Sequence, residues 1–119
     1  MAVKKLVKTN LAIHVALREW IYFTISIGNA QIGGSVVRWK GDKEMLAKGE
    51  ITNLDLGPGE SIKGKTLKVT TNILDVNEQT NGIVVNHYFY NGKPSLFTYS
   101  ERVNNDGDIF QLVTEYIFK

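Results

Sequence analysis

Apolar and polar residues alternate with a period of two over most of the chain, the period of extended backbone with one buried face. Leu11, Ile13, Val15 and Leu17 alternate with Asn10, Ala12, His14 and Ala16, and Ile21, Phe23, Ile25 and Ile27 alternate with Trp20, Tyr22, Thr24 and Ser26. Odd-numbered residues therefore face inward in both segments. A two-residue hairpin at Arg18 and Glu19 would pair Leu17 with Trp20 and throw the two apolar rows onto opposite faces. Two arrangements avoid this: a turn with an odd number of residues, or one long strand over residues 9–27, bent near Glu19 and shared by two sheets. The bent strand is the expectation, because sandwich corners are built that way.

Further along, residues 28–34 read as a loop and 35–40 as a short strand closed by Gly41 and Asp42. Residues 51–56 read as another strand, after which Gly57, Pro58 and Gly59 break the chain. Residues 43–48 fit a helical turn or a strand equally. Four strands follow, over 66–76, 83–90, 95–103 and 109–118, separated by NEQTNG, NGKP and NNDGD. Asn91-Gly92 and Asp106-Gly107 signal hairpins, since these residues tolerate the positive φ of tight turns. The pattern predicts an all-β fold: a two-sheet antiparallel β-sandwich of seven to nine strands, one domain over residues 1–119, whose carboxy-terminal half is a four-strand meander.

Composition agrees with sheet, since valine, isoleucine, threonine and aromatics outnumber the five alanines. A chain of 119 residues should fold to about 6,500 Å² of surface from about 19,000 Å² unfolded, enough burial to need no metal or disulfide. The net charge of +2, from 14 basic and 12 acidic side chains, is too small to announce nucleic acid. No apolar run reaches the roughly 18 residues of a membrane span, so no transmembrane segment is expected. The absence of cysteine removes disulfides, thiolate zinc sites and cysteine nucleophiles together. Lys4, Lys5 and Lys8 ahead of the apolar stretch 11–17 imitate an export signal, but the stretch alternates and runs into Arg18, Glu19 and Trp20 rather than small residues. The cytoplasm is the default location on that reading, with a non-standard secretion route as the other.

The segment GESIKGKT, residues 59–66, satisfies the P-loop pattern at every position. That motif works by delivering glycine-rich backbone to a helix amino terminus, whose amides cradle phosphates. The following residues, KTLKVTTNILDV, alternate with a period of two and contain almost no helix formers. The expected structure is a turn-rich entry into a strand, with Lys63, Lys65 and Lys93 left as an anion-binding group at that end of the sandwich.

At the opposite end the meander gathers two oxygen-rich loops, and Asp75, Asn77, Glu78, Asp106 and Asp108 form a candidate metal site there. Calcium takes six to eight such oxygen ligands. The layout resembles that of the C2 type of calcium-dependent, membrane-binding sandwich, in architecture only. The resemblance implies Ca²⁺ and a membrane or glycan surface as ligands. Asn and Asp also populate tight turns for purely conformational reasons.

A two- or four-residue loop at NGKP puts Val84, Asn86, Tyr88 and Tyr90 on one face with Phe97, Tyr99 and Glu101. The opposite face then carries Ile83, Val85, His87 and Phe89 with Leu96, Thr98, Ser100 and Arg102. Both faces are apolar, and a sandwich needs only one. The outer side must be covered by the amino-terminal region, by another protein or second copy, or by a ligand such as a glycan stacking on tyrosines. Tyr88, Tyr90, Phe97, Tyr99 and Tyr116 are the expected binding face.

Catalysis is hard to assemble. His14 and His87 lie on different strands without a neighbouring acid, and neither a nucleophile elbow nor HExxH spacing occurs. The chain is expected to be a non-enzymatic binding or assembly module that meets a protein partner, or itself, through its aromatic sheet face. The alternative is calcium-dependent binding of membrane or glycan through the loops at 75–82 and 104–108.

Overall fold

Most of the period-two residues form strands in the computed structural model, which describes residues 2–119; residues 14–19 and 51–53, expected in strands, are irregular. In chain order the elements are β1 (Val3–Ile13), β2 (Trp20–Ile27), β3 (Ile32–Trp39), β4 (Ala47–Gly49), β5 (Leu54–Pro58), the single helical turn α1 (Gly59–Ile62), β6 (Thr66–Leu74), β7 (Gly82–Tyr90), β8 (Pro94–Arg102) and β9 (Ile109–Phe118). They make a β-sandwich of two sheets, ordered β1-β9-β6-β3-β4 and β5-β2-β7-β8. Pairing is antiparallel except between β1 and β9, which run parallel. The exposed surface of 6830 Å² is close to the area expected from chain length. No helix among the described residues is long and apolar enough to cross a membrane.

The amino-terminal strand does serve two sheets, but as two strands. Residues 14–19 form an irregular corner between β1 in one sheet and β2 in the other. β1 also begins at Val3, well before the clear alternation at Leu11. The register against β9 slips between Lys8 and Leu11, and Asn10 sits at φ 59, so a bulge inverts the alternation there. Leu6 packs inward before the bulge and Leu11 and Ile13 after it. Lys4 donates to Glu101 Oε1 at 3.0 Å and to the Arg102 carbonyl at 2.9 Å, tying this edge strand to β8. Residues 43–46 are irregular and lead into the three-residue β4.

The expected four-strand meander does not form. β7 and β8 pair as a hairpin, whereas β6 and β9 pair with each other in the opposite sheet. Turn signals fix where the chain reverses, not the sheet into which it returns. The connections at 75–81 and 103–108 are long enough to cross the ~10 Å between packed sheets, and both do so; the three-residue link at 91–93 cannot, and stays in plane. Splitting the strands sets Leu67, Val69 and Ile73 of β6 and Phe110, Leu112, Tyr116 and Phe118 of β9 against Ile21 and Phe23 of β2 and Ile83, Val85 and Phe89 of β7. The core runs the length of the sandwich through Ile25, which touches both ends of it.

Candidate functional site

The P-loop-like segment becomes the end of β5, α1 and the approach to β6, and no helix follows Lys65. Backbone donors on both sides of its helical turn are already used. Gly59 N–H donates to Glu19 O at 2.9 Å, Glu60 N–H to Leu17 O at 3.0 Å, Gly64 N–H to Phe118 O at 2.7 Å and Lys65 N–H to Ile62 O at 2.9 Å. A Cβ on Gly59 would lie 2.3 Å from Ala16 O, so this glycine packs α1 against the 14–19 corner rather than freeing amides for phosphate. Lys65 Nζ rests 5.2 Å from the Trp39 ring centroid. Lys63 and Lys93 are exposed on the α1–β6 and β7–β8 loops of the same end. Asn91 ties the β7–β8 loop to the 14–19 corner: its side-chain amide donates to Ala16 O and Glu19 O and its Oδ1 accepts from Ala16 N–H.

At the other end the two acidic loops do meet, through backbone. Asp75 N–H donates to Asp108 O at 3.0 Å and Gly107 N–H to Asp75 O at 2.9 Å. Their carboxylates are not pooled. Asp108 accepts from the amides of Ala2 at 2.9 Å and Asn105 at 3.0 Å, donors that hold its carboxyl below the usual range, the Ala2 amide most of all. Asp75 is buried against Gln31 Nε2 at 2.7 Å, and its Oδ2 has no partner. Asn77 Oδ1 caps its own turn by accepting from Gln79 N–H, and Glu78 and Asp106 are exposed. Among the described residues no group of three or more histidine or acidic side chains is arranged to hold a metal ion. Turn and cap chemistry occupies the Asn77 and Asp108 oxygens, and the remaining carboxylates are dispersed.

The five residues of the expected aromatic face are divided between inside and outside. Tyr90 pairs with Pro94 across a three-residue loop, with Gly92 at φ 71. That odd length reverses the parity expected from NGKP and sets Val85 opposite Tyr99 and His87 opposite Phe97. Phe97 and Tyr99 consequently turn inward, where Phe97 lies 5.0 Å from the Tyr116 ring. Tyr116 is fully buried. His87 Nδ1 and Tyr116 Oη are 2.6 Å apart, and Tyr116 Oη and Tyr99 Oη 2.9 Å. Burial pushes the His87 imidazole down to about 3, and the Tyr116 phenol is raised far above its ordinary value by the same cause. His87 Nε2 is buried without a partner. A neutral ring walled in by Phe23, Tyr99 and Tyr116 is a packed polar link between sheets.

Tyr88 and Tyr90 point the other way, out of the β5-β2-β7-β8 sheet, where sequence reasoning had not assembled their neighbours. Tyr22 stands opposite Tyr90, Thr24 opposite Tyr88, and Leu96 beside Tyr88 on β8; Trp20 is two residues from Tyr22 on the same side of β2. Their exposures are 50% for Trp20, 39% for Tyr22, 36% for Tyr88, 44% for Tyr90 and 61% for Leu96. The aromatic half of this face gives way to a polar half. There Asn86 Nδ2 donates to Ser26 Oγ at 3.2 Å, and Thr98 Oγ1 donates to Asn86 Oδ1 at 2.7 Å. Among the outward residues of β2, β7 and β8 the only charged side chain is Arg102, at the far corner.

A cleft of about 410 Å³ opens on the opposite flank of the sandwich, over Ile25, Ile27 and Ile51, with Gly33, Gly34 and Glu50 at its walls. It exists because β4 pairs with β3 only from Ser35 onward and then crosses to the other sheet. Gly33 is forced there, since a Cβ would lie 2.6 Å from Asn72 O.

What emerges is a nine-stranded sandwich, all of its strands but β1 paired antiparallel, that carries an aromatic outer sheet face with charge only at its margins. Comparison with known protein families, curated proteins and solved structures finds no match for the chain.

Proposed function

We propose that this protein is a non-catalytic binding module whose working surface is the aromatic half of the outer β2-β7-β8 face. One observation carries the reading: Trp20, Tyr22, Tyr88, Tyr90 and Leu96 stand exposed together on a sheet whose other side faces the core. Ring-to-ring contacts in the interior draw on Phe23, Trp39, His87, Phe89, Phe97, Tyr99, Tyr116 and Phe118, so folding consumes a different set of aromatics. Contiguous apolar patches of a few hundred Å² on small proteins are commonly functional. The absence of a role for catalysis is supported by His87, which is buried and neutral, and by the Gly59, Glu60, Lys63, Gly64 and Lys65 amides of the GESIKGKT segment, which are spent on protein carbonyls.

The test compares wild type with Trp20→Ala/Tyr90→Ser on glycan and protein arrays and by sedimentation velocity over a range of concentration. The reading expects a binding or self-association signal that this pair of changes abolishes and that Glu50→Gln, in the cleft, leaves intact. A signal indifferent to the outer face, or no signal of any kind, overturns it.

A further inference from the structure

The chemistry of the outer face identifies the class of its ligand, and we infer that it takes a neutral, pyranose-based glycan chain. The inference rests on the binding-face reading and goes beyond it in naming what binds. Three features of the face converge on that class.

The first is area. With aromatic side chains presenting on the order of 200 Å² each, the exposed fractions leave about 450 Å² of aromatic and aliphatic surface. A standard protein interface takes about 800 Å² from each partner, a little over half of it apolar, so area admits a protein partner as well. Beyond Tyr88 the surface changes to hydroxyls and amides already bonded to one another, which sets the length of the apolar patch. It is large enough for a short oligosaccharide.

The second is charge. Single-stranded nucleic acid also stacks on aromatic sheet faces, but it demands a cationic groove along its backbone. Here the flanking cations are single ones, Arg102 at the polar corner and Lys93 on the loop beyond Tyr90, and Asp55, paired with Tyr22, borders the β5 side. An anionic polymer or an acidic membrane surface has no counter-charge across the aromatic rows. A neutral polyol needs none.

The third is the layout. Trp20, the Tyr22 and Tyr90 pair, and Tyr88 occupy three successive rows along the strand direction, which sheet geometry sets about 13 Å from first to last. Aromatic faces carry negative potential and attract the slightly positive C–H groups on the flat side of a pyranose. Next to these rows Asn86 retains one N–H and one lone pair beyond its bonds to Ser26 and Thr98, and the Ser26 hydroxyl retains its proton to donate. Stacking rows flanked by amide and hydroxyl groups match a ligand whose ring faces are apolar and whose rim is all hydroxyl.

Isothermal titration of the full chain with cellohexaose and with β-1,4-mannohexaose tests the proposal, with an oligogalacturonate hexamer as the anionic comparison. At least one neutral hexaose is expected to bind with a sub-millimolar Kd and the galacturonate more weakly. Trp20→Ala and Tyr90→Ser, each checked for an unchanged melting temperature, should weaken binding about ten-fold or more, and Asn86→Ala by a smaller factor. Silence from both neutral sugars at millimolar concentration overturns the inference, as does binding that the outer-face variants leave unchanged or a preference for the galacturonate. If the arrays instead report a protein or a second copy held by Trp20 and Tyr90, the glycan is eliminated and the binding face stands.

Discussion

Residues 87–90 run His, Tyr, Phe, Tyr along one strand, and successive rings go to opposite worlds. His87 and Phe89 are buried; Tyr88 and Tyr90 are not. The inner set is locked by rings at close quarters, with Phe89 stacked on Phe23 at 4.3 Å between centroids and edge-on to Tyr116 at 4.8 Å. The outer set touches a sheet on one side and water on the other. Identical residue types thus hold the sandwich together on one face and present surface on the other. What assigns them is pleat parity along β7, whose odd-numbered residues face the opposite sheet and whose even-numbered ones face outward.

Truncation on the inner face separates the two sets most sharply. Phe89→Ala removes a ring from a site that cannot collapse between two sheets and should cost about 3–5 kcal/mol, read as a shift in the urea unfolding midpoint. Tyr90→Ala, one residue on, should move the same midpoint by an amount near experimental error. Equal effects at the two positions would mean that the outer rings are structural after all.

Acid sharpens the contrast next, because the inner set contains a buried imidazole that responds to it. The His87 pKa falls from 6.5 to about 3 on folding, so between those values the unfolded chain carries a proton that the folded chain refuses. Stability is therefore complete above pH 6.5 and declines as pH falls, by about 2 kcal/mol between pH 6.5 and 5. Glu101, lowered chiefly by its bond from Lys4, and Asp108 add their own losses further into acid, as pH falls through their usual carboxylate range. Urea unfolding at pH 7 and pH 5 for wild type and His87→Phe checks this: the variant should lose most of the difference between the two pH values. A wild type equally stable at both would show that His87 is hydrated.

Tyr116→Phe probes the same cluster by one atom. It leaves His87 Nδ1 without its 2.6 Å partner and releases the Tyr99 hydroxyl, which is half-buried and can turn to water. A cost of about 1–2 kcal/mol follows from one orphaned buried group.

Much of this architecture was legible before any coordinates. Period-two alternation over β2, β6, β7 and β9 named the strands, and over β2 and β6 their buried rows as well, and the ribbon after Lys65 was evident from KTLKVTTNILDV. The topology was not legible, since hairpin signals are local while the choice of sheet depends on which apolar rows must meet. Nor was the parity of β8. NGKP fits loops of two, three or four residues, and a single residue's difference moves Phe97 and Tyr99 from outside to inside. Trp20 and Tyr22 were readable all along as outward residues of a strand whose Ile21 and Phe23 go inward; two large aromatics on the solvent side were the signal. The Asn and Asp loops misled because the chemistry that ligates a cation is also the chemistry that closes a turn.

The smallest expected effect is the most informative about function. Tyr90→Ser exchanges a ring 44% exposed for a hydroxyl on a strand whose ladder partners, Tyr22 and Pro94, are unchanged. Some β propensity and a cross-strand contact are lost, together worth a few tenths of a kcal/mol, while an exposed apolar ring leaves water, which offsets part of the loss. The net change in stability should lie within about 0.5 kcal/mol. A residue so cheap to remove from the fold has little structural reason to be aromatic. If Tyr22→Ser and Tyr88→Ser prove equally cheap in unfolding experiments while each weakens ligand binding, stability and recognition are carried by opposite sides of one sheet. If any of the three costs as much as Tyr116→Phe, that ring belongs to the interior set and the binding surface shrinks accordingly.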